Sequence, residues 1–209
     1  MRDVSMTLIK ICGITNLEDA LASVEAGADL LGFNFYRPSP RYIEPSLARQ
    51  IIDLLPKSVL TVGVFVNEPD IESIAKAAGV VALQLHGDET PAECRRLQHW
   101  QIIKALSVDE HFKASKVKDY DASAIMLDTR HKTLRGGTGQ VFDWSVAHEA
   151  NALGIRLVLA GGLSPDNVAE AIAQVKPYAV DACSGVETKP GLKDHVRLQT
   201  FVNNARSEQ

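Results

Sequence analysis

Short apolar runs recur at regular intervals along the chain and are separated by segments of helical periodicity. Most of these runs are continuous rather than alternating, which is typical of parallel strands covered on both faces. The pattern predicts eight strands, at residues 8–12, 30–35, 59–66, 80–86, 101–107, 124–129, 156–160 and 179–183. The chain therefore consists of eight strand-then-helix units of about 26 residues each.

Helix boundaries are marked by capping residues between the predicted strands. Thr15 and Thr90 each have a glutamate three residues later, which is the spacing of a capping box, and Ser164-Pro165 predicts a third helix start. Three glycines lie where a helix should end before the next strand, and these are Gly27, Gly79 and Gly154.

Parallel strands require crossover connections, and eight such units can close into a (β/α)₈ barrel. The alternative is a doubly wound open sheet, which usually has fewer strands and carries a glycine fingerprint in its first turn. The first turn here is "CGIT", which is no such fingerprint. With no linker or low-complexity stretch in the sequence, we predict a TIM barrel that forms a single domain over residues 1–209.

Composition narrows the classes of function. The net charge of -4 and the lack of a basic run give no electrostatic reason to expect nucleic acid or a membrane surface as partner. The segment "MRDVSMTLIK" has no apolar core of a signal peptide, and no segment reaches the length of a membrane span, so we predict a cytoplasmic location. The three cysteines are odd in number and widely spaced, which indicates neither a disulfide framework nor a zinc site.

Unusual polar residues fall at the carboxyl ends of the predicted strands, where barrel enzymes place their chemistry. Cys12, His86 and Asp128 end the first, fourth and sixth strands. Lys10 lies on the same face as Cys12, because strand side chains alternate with period two. A buried lysine needs a carboxylate partner, and Asp181 on the eighth strand is the candidate.

Small residues follow the last two strands. Gly161 and Gly162 come after the seventh strand, and Ser184 and Gly185 come after the eighth. Backbone N–H groups at such loops can surround a phosphate, since no side chain blocks its approach. We therefore predict a phosphate site here.

Two further loops carry candidate chemistry. The loop "YRPSPRYIEP" at 36–45 is stiffened by proline and presents Arg41, whose guanidinium could bind a carboxylate with two parallel hydrogen bonds. Arg37 in the same loop is expected to be solvated. The glycine-rich segment at 136–144 could serve as a lid or leave room for a substrate.

Eight sequence blocks occur in one order from about residue 8 to residue 194. They are "KICGIT", "GFNFYRPSPRYI", "VGVFVN", "LQLHG", "LDT", "GGTGQVFDW", "LAGGLSPDNV" and "VDACSGVETKPGLKD". Together they resemble the phosphoribosylanthranilate isomerase family of tryptophan biosynthesis. The resemblance implies the Amadori rearrangement of N-(5-phosphoribosyl)anthranilate to 1-(2-carboxyphenylamino)-1-deoxyribulose 5-phosphate, without metal or cofactor.

The resemblance also implies roles for individual residues. Cys12 would be the general base and Asp128 the general acid, while Arg41 would bind the anthranilate carboxylate. The phosphate would be bound by Gly161, Gly162, Ser184 and Gly185. His86 is placed with the substrate-binding residues but has no assigned role, and the oligomeric state stays open between monomer and homodimer.

Two cysteines can be explained by packing alone, and three other functions are alternatives to the isomerase. Cys94 and Cys183 are expected to be packing residues. A ribulose-phosphate epimerase would need paired histidine and aspartate metal ligands, and an indole-glycerol phosphate synthase would need lysines at strand ends. A non-catalytic barrel in a pathway assembly would lack Cys12 or Asp128. Activity on the related aminoaldose of histidine biosynthesis stays open.

Overall fold

Eight parallel strands close into a barrel in which each strand pairs with its neighbours in the sequence and β1 pairs with β8. The structure is a computed structural model that describes residues 6–128 and 144–207. The strands are β1 (Leu8–Cys12), β2 (Leu30–Asn34), β3 (Leu60–Phe65), β4 (Ala82–Leu85), β5 (Gln101–Ser107), β6 (Ala124–Asp128), β7 (Leu157–Ala160) and β8 (Ala179–Ala182). The predicted barrel is confirmed, and each predicted strand overlaps an observed one.

Helices surround the barrel and connect successive strands. They are α1 (Leu17–Ala26), α2 (Pro45–Ile52), α3 (Ile71–Ala78), α4 (Pro91–Arg96), α5 (Ser145–Asn151), α6 (Val168–Val175) and α7 (His195–Ser207). Between β5 and β6 the connection contains a 3₁₀ helix at Ala114–Asp119. After β8 come a 3₁₀ turn at Ser184–Val186 and a short hairpin formed by β9 (Glu187–Lys189) and β10 (Leu192–Lys193). No helix in the described ranges is long and apolar enough to cross a bilayer.

The capping box predicted at Thr90 is confirmed. Its hydroxyl accepts from the Glu93 backbone N–H, and the Glu93 carboxylate accepts from the Thr90 backbone N–H. Gly27 and Gly79 end α1 and α3 in the left-handed conformation, as predicted. Gly154 is also left-handed, but it lies in the turn beyond α5 rather than at the helix end.

Two predicted helix starts are wrong. Asn16, rather than Thr15, is the N-cap of α1, because its side chain accepts from the Asp19 backbone N–H at 2.8 Å. The Thr15 hydroxyl donates instead to a carbonyl of the β9–β10 hairpin. The helix expected from Ser164 begins later, at Val168, after a turn in which the Ser164 N–H donates to the side chain of Asn167.

The apolar core has two layers, one inside the barrel and one between the barrel and the helices. The inner layer consists mainly of small and branched side chains, such as Val62 and Val158. Toward the carboxyl end of the strands, the inward positions become polar, and Lys10, Gln84 and Asp128 are all nearly inaccessible to solvent. The barrel therefore brings polar groups from distant strands together at one end.

Candidate active site

Lys10 forms a buried ion pair inside the barrel. Its side chain is 1 % exposed, and Nζ donates to Asp181 Oδ1 at 2.7 Å, as the sequence predicts. The strand register places the two residues side by side on β1 and β8. Burial by itself lowers the pKa of Lys10, but Asp181 and Cys12 raise it above its ordinary value, so the side chain stays an ammonium ion.

Cys12 lies beside this ammonium group at the end of β1, where the residue is 8 % exposed. A hydrogen bond with Cys183 lowers the pKa of Cys12 to about 6, against the opposing effect of burial. This value includes the positive charges of Lys10 and Lys193, which also lower the pKa, and the charge of Asp181, which raises it. The environment therefore favours the thiolate at neutral pH.

The expectation that Cys183 is a packing residue is wrong, because its thiol contacts Cys12. The interaction with Cys12 and burial both raise the pKa of Cys183, so it keeps its proton, and its Sγ donates to Glu187 Oε1 at 3.9 Å. One sequence signal could have identified it. Cys183 follows Asp181 by two residues, which places both on the same face of the chain.

Lys193 and Glu187 also belong to the site, although sequence reasoning missed them. The fully buried Lys193 Nζ donates to the Cys12 carbonyl oxygen and to Glu187 Oε1. Both residues come from the β9–β10 hairpin, and Lys193 is 181 residues away from Cys12 in the sequence. No local pattern could have indicated a contact at that separation.

Arg41 lies near Cys12, but the carboxylate that it binds with parallel hydrogen bonds belongs to the protein itself. Nε and Nη2 donate to the Glu187 carboxylate at 2.9 and 2.6 Å. This hydrogen bonding raises the pKa of Arg41, and its positive charge and that of Lys193 lower the pKa of Glu187 despite burial. Nη1 makes no hydrogen bond within residues 6–128 and 144–207. The side chain of Arg37 is 77 % exposed, as expected.

Asp128 and His86 come together at the same end of the barrel. Asp128 ends β6 and is 5 % exposed, and its Oδ2 lies 3.3 Å from His86 Nε2. His86 Nδ1 lies 2.8 Å from Nε2 of the buried Gln84. With the Gln84 amide as donor, the imidazole proton lies on Nε2 and points at Asp128. His86 therefore contacts Asp128, the residue predicted to be the general acid.

The loops after β7 and β8 pack against each other. Gly161 and Gly162 both have left-handed backbones, with φ of 88° and 79°. A Cβ on Gly185 would lie 2.0 Å from the Leu163 carbonyl oxygen, so that only glycine fits there. Ser184 begins the 3₁₀ turn between these loops. The four residues predicted to bind phosphate are brought together, and their role remains a prediction.

Two further expectations have different outcomes. The lid predicted at 136–144 lies outside the described residues except for Trp144, which is buried. Cys94 is fully buried in α4, as expected for a packing residue. Within the described parts of the chain, no group of three or more His, Cys, Asp or Glu side chains could hold a metal ion.

Known proteins resemble this chain over nearly its whole length. The family model described as N-(5'phosphoribosyl)anthranilate (PRA) isomerase matches residues 9–204. The N-(5'-phosphoribosyl)anthranilate isomerase of Trichlorobacter lovleyi is 51 % identical over 203 residues, which are 96 % of this chain and 98 % of that protein.

Solved structures of isomerases also match this chain over nearly its whole length. The phosphoribosyl anthranilate isomerase of Thermotoga maritima has a TM-score of 0.86 and 44 % identity, covering 97 % of this chain and 100 % of its own. A second isomerase structure, in complex with reduced 1-(o-carboxyphenylamino)-1-deoxyribulose 5-phosphate, has a TM-score of 0.84 and 43 % identity over the same shares. The chain therefore belongs to the phosphoribosylanthranilate isomerase family.

Proposed function

We propose that the chain, acting as one barrel domain, isomerises N-(5-phosphoribosyl)anthranilate by general acid–base catalysis, with Cys12 as the base and Asp128 as the acid. The observation that most strongly supports this proposal is the environment of Cys12. A thiol beside a buried ammonium ion and a second thiol donor has a pKa of about 6. Such a group is ionised at neutral pH and can accept a proton from carbon.

The reaction begins with a proton transfer to oxygen. Asp128 gives a proton to the ribose ring oxygen, and the ring opens to a protonated Schiff base. His86 contacts the Asp128 carboxyl group and holds it in position at the end of β6. Asp128 is only 5 % exposed, so bulk water is largely excluded from the carboxyl group that gives the proton.

The second step takes a proton from carbon. The Schiff base acidifies the hydrogen on C2 of the opened sugar, and the Cys12 thiolate removes it. The resulting enolamine then tautomerises to the ketone, which is the 1-deoxyribulose 5-phosphate product. Lys10 stays protonated throughout, because Asp181 balances its charge, and it keeps Cys12 available as an anion.

Substrate binding uses the two ends of the barrel mouth. The loops with Gly161, Gly162, Ser184 and Gly185 would bind the phosphate through backbone N–H groups and the Ser184 hydroxyl. Glu187 accepts from Nε and from one N–H of Nη2, so the second N–H of Nη2 and both N–H groups of Nη1 are left for the anthranilate carboxylate. We infer that the substrate carboxylate approaches the Nη1–Nη2 edge of the guanidinium, because Glu187 takes the Nε edge.

The test is to supply N-(5-phosphoribosyl)anthranilate and to follow the loss of its fluorescence, with product identified by mass and chromatography. The aminoaldose of histidine biosynthesis is assayed in parallel. We expect turnover of the anthranilate substrate that depends on Cys12 and Asp128. Turnover that survives Cys12→Ala and Asp128→Asn at the wild-type rate would refute the assigned roles. Turnover of the histidine intermediate alone would refute the substrate.

A further inference from the structure

Cys12 is the last residue of β1, and Cys183 directly follows β8, the strand that pairs with β1. The register of β1 and β8 pairs Ile11 with Ala182, so the next pair in the series is Cys12 and Cys183. Neighbouring strands lie about 4.8 Å apart. This spacing falls within the range of about 4.4 to 6.8 Å between the Cα atoms of disulfide-bonded cysteines.

The two thiols also lie close enough for each to shift the pKa of the other. Cys12 shares the inward face with Lys10, since a Cβ on Gly32 would lie near both Cys12 Sγ and Lys10 Nζ. The Cys183 sulfur lies 3.1 Å from where a Cβ on Gly13 would be, which places it directly beside the chain segment that follows Cys12. Cys183 follows the last residue of β8, outside regular strand geometry. Its backbone is therefore not held by the strand ladder.

We propose that Cys12 and Cys183 are a peroxide-sensitive pair that forms an intramolecular disulfide and reversibly inactivates the enzyme. The loss of activity rests on the proposed function, since it requires Cys12 to be the base. The disulfide itself does not, because it follows from the placement of the two thiols.

The chemistry balances with hydrogen peroxide as the oxidant. The Cys12 thiolate attacks one peroxide oxygen, the O–O bond breaks, and hydroxide leaves and is protonated to water. The sulfur is oxidised to a sulfenic acid while the peroxide is reduced. The Cys183 sulfur then displaces the hydroxyl group, forming the S–S bond, and its proton leaves with that hydroxyl group as water. A dithiol returns both cysteines to thiols by exchange.

The positions of the thiols favour this order of events. Cys12 is the more acidic, so it reacts first with the oxidant. The negative charge of Cys12 helps to keep Cys183 protonated, and that charge is lost in the sulfenic acid. Cys183 is then free to act as the resolving thiol. Cys94 is fully buried and lies in α4, away from this pair, and provides an internal control.

The experiment treats the reduced full-length protein with hydrogen peroxide and maps tryptic peptides without reduction. The three cysteines fall in separate tryptic peptides. We expect the loss of two of the three thiols, a cross-linked peptide pair containing Cys12 and Cys183, and the return of thiols and activity together on adding dithiothreitol. Sulfinic acid at Cys12 with an intact Cys183 thiol would overturn the proposal, whatever the activity.

Two variants sharpen the result. Cys94→Ala should form the same cross-link and recover to the wild-type extent. In Cys183→Ala, whose folding is checked by circular dichroism, Cys12 should proceed to sulfinic acid, and dithiothreitol should restore less than about a tenth of the activity lost. Full recovery of this variant would contradict the proposal. A cross-link in a wild-type protein without isomerase activity would support the thiol pair and refute only the proposed function.

Discussion

The barrel contains two lysine–carboxylate pairs that look alike at first sight. Lys10 with Asp181 and Lys104 with Glu89 both have an Nζ–O distance of 2.7 Å, and both lysines are 1 % exposed. Charges so well buried are costly unless they are paired and hydrogen-bonded. Burial and pairing alone therefore do not distinguish a functional lysine from a structural one.

The difference lies in how many donors each ammonium group has left. Lys104 faces outward, toward the helices, and donates to Glu89 and to the carbonyl oxygens of Leu85 and Gly87. All three of its protons are used, and they fasten the loop between β4 and α4. Lys10 has only the Asp181 oxygen as an oxygen acceptor within the described residues, and Cys12 lies beside it.

Each lysine also has a cysteine in its field, and the two thiols behave oppositely. The pKa of Cys12 is lowered to about 6, while burial raises the pKa of Cys94 despite the charge of Lys104. A nearby buried ammonium ion therefore does not by itself lower the pKa of a thiol: the pKa of Cys12 is lowered first by Cys183 and then by Lys10, whereas the charge of Lys104 does not offset the burial of Cys94.

The largest expected effect comes from replacing Cys12, with the replacement of Cys94 as the control. Cys12→Ala should lower kcat by about three orders of magnitude, because the proton on C2 has no other base, and should abolish its exchange with solvent. Cys94→Ala, the matched control, should keep kcat within about twofold of wild type, since that thiol touches no substrate. Similar losses of kcat in both variants would mean that the region around Lys10 and the region around Lys104 do not differ in function.

The next largest effect distinguishes the role of Lys10 from that of Lys104. Lys10→Met should lower kcat/KM at pH 7 by about tenfold, since loss of the charge raises the pKa of Cys12 and reduces the thiolate fraction. Activity should return toward wild type near pH 9, which a purely structural role would not produce. Alkylation of Cys12 by iodoacetamide, followed against pH, measures the same shift without turnover.

The matched variant is Lys104→Met. It should cost about 3 to 5 kcal/mol of unfolding free energy in urea, because Glu89 is left buried without its counter-charge. The kcat/KM of the folded protein should be unchanged. A tenfold loss of kcat/KM at pH 7 with recovery near pH 9 would contradict the assignment of this pair to structure.

A smaller effect is expected from pH itself. Thiolate is the active form of Cys12, so kcat/KM should fall as pH drops through its pKa of about 6. At pH 5.5 the loss should be about fourfold relative to the plateau. The midpoint of this acidic limb is measured under kcat/KM conditions. A midpoint near the ordinary cysteine value would mean that the neighbours of Cys12 do not activate it.

The smallest effect concerns the helices that begin near the two regions. Asn16→Ala and Thr90→Ala remove the N-caps of α1 and α4, and each should cost about 1 kcal/mol of stability. Neither should change kcat/KM more than about twofold. A large loss in Asn16→Ala alone would show that the α1 N-terminus, besides Lys10 and Cys183, supports the thiolate of Cys12.

The fold could be predicted because its signals are local. Continuous apolar runs and the glycines before them mark the strands, and the order of units determines the barrel. The pair of Lys10 with Asp181 could also be predicted, because a buried charge needs a partner and β8 must pair with β1 to close the barrel. The positions of Cys12 and Asp128 at strand ends could be predicted too, whereas their catalytic roles stay predictions.

The rest depends on contacts that no local pattern encodes. The choice of Asn16 over Thr15 as N-cap follows from the hairpin, whose carbonyl takes the Thr15 hydroxyl. The partner of Arg41 is Glu187, which lies 146 residues away. A loop arginine can thus pair with a carboxylate of the protein itself, and the sequence does not reveal that partner when it lies so far away along the chain.

The β9–β10 hairpin has a consequence for how the protein is made. Lys193 holds the backbone of Cys12, and Glu187 holds Arg41, so the earliest strand completes its surroundings only when the latest strands are in place. Because Cys183 and Lys193 come late in the chain, we expect the pKa of Cys12 to stay at its ordinary value until both have been synthesised and folded against it. Contacts of such long sequence separation form late in folding. The lowered pKa of Cys12 is thus acquired at barrel closure, and a chain truncated after residue 186 would retain Lys10, Cys12 and Cys183 but lack the contact of Lys193 with the Cys12 carbonyl oxygen.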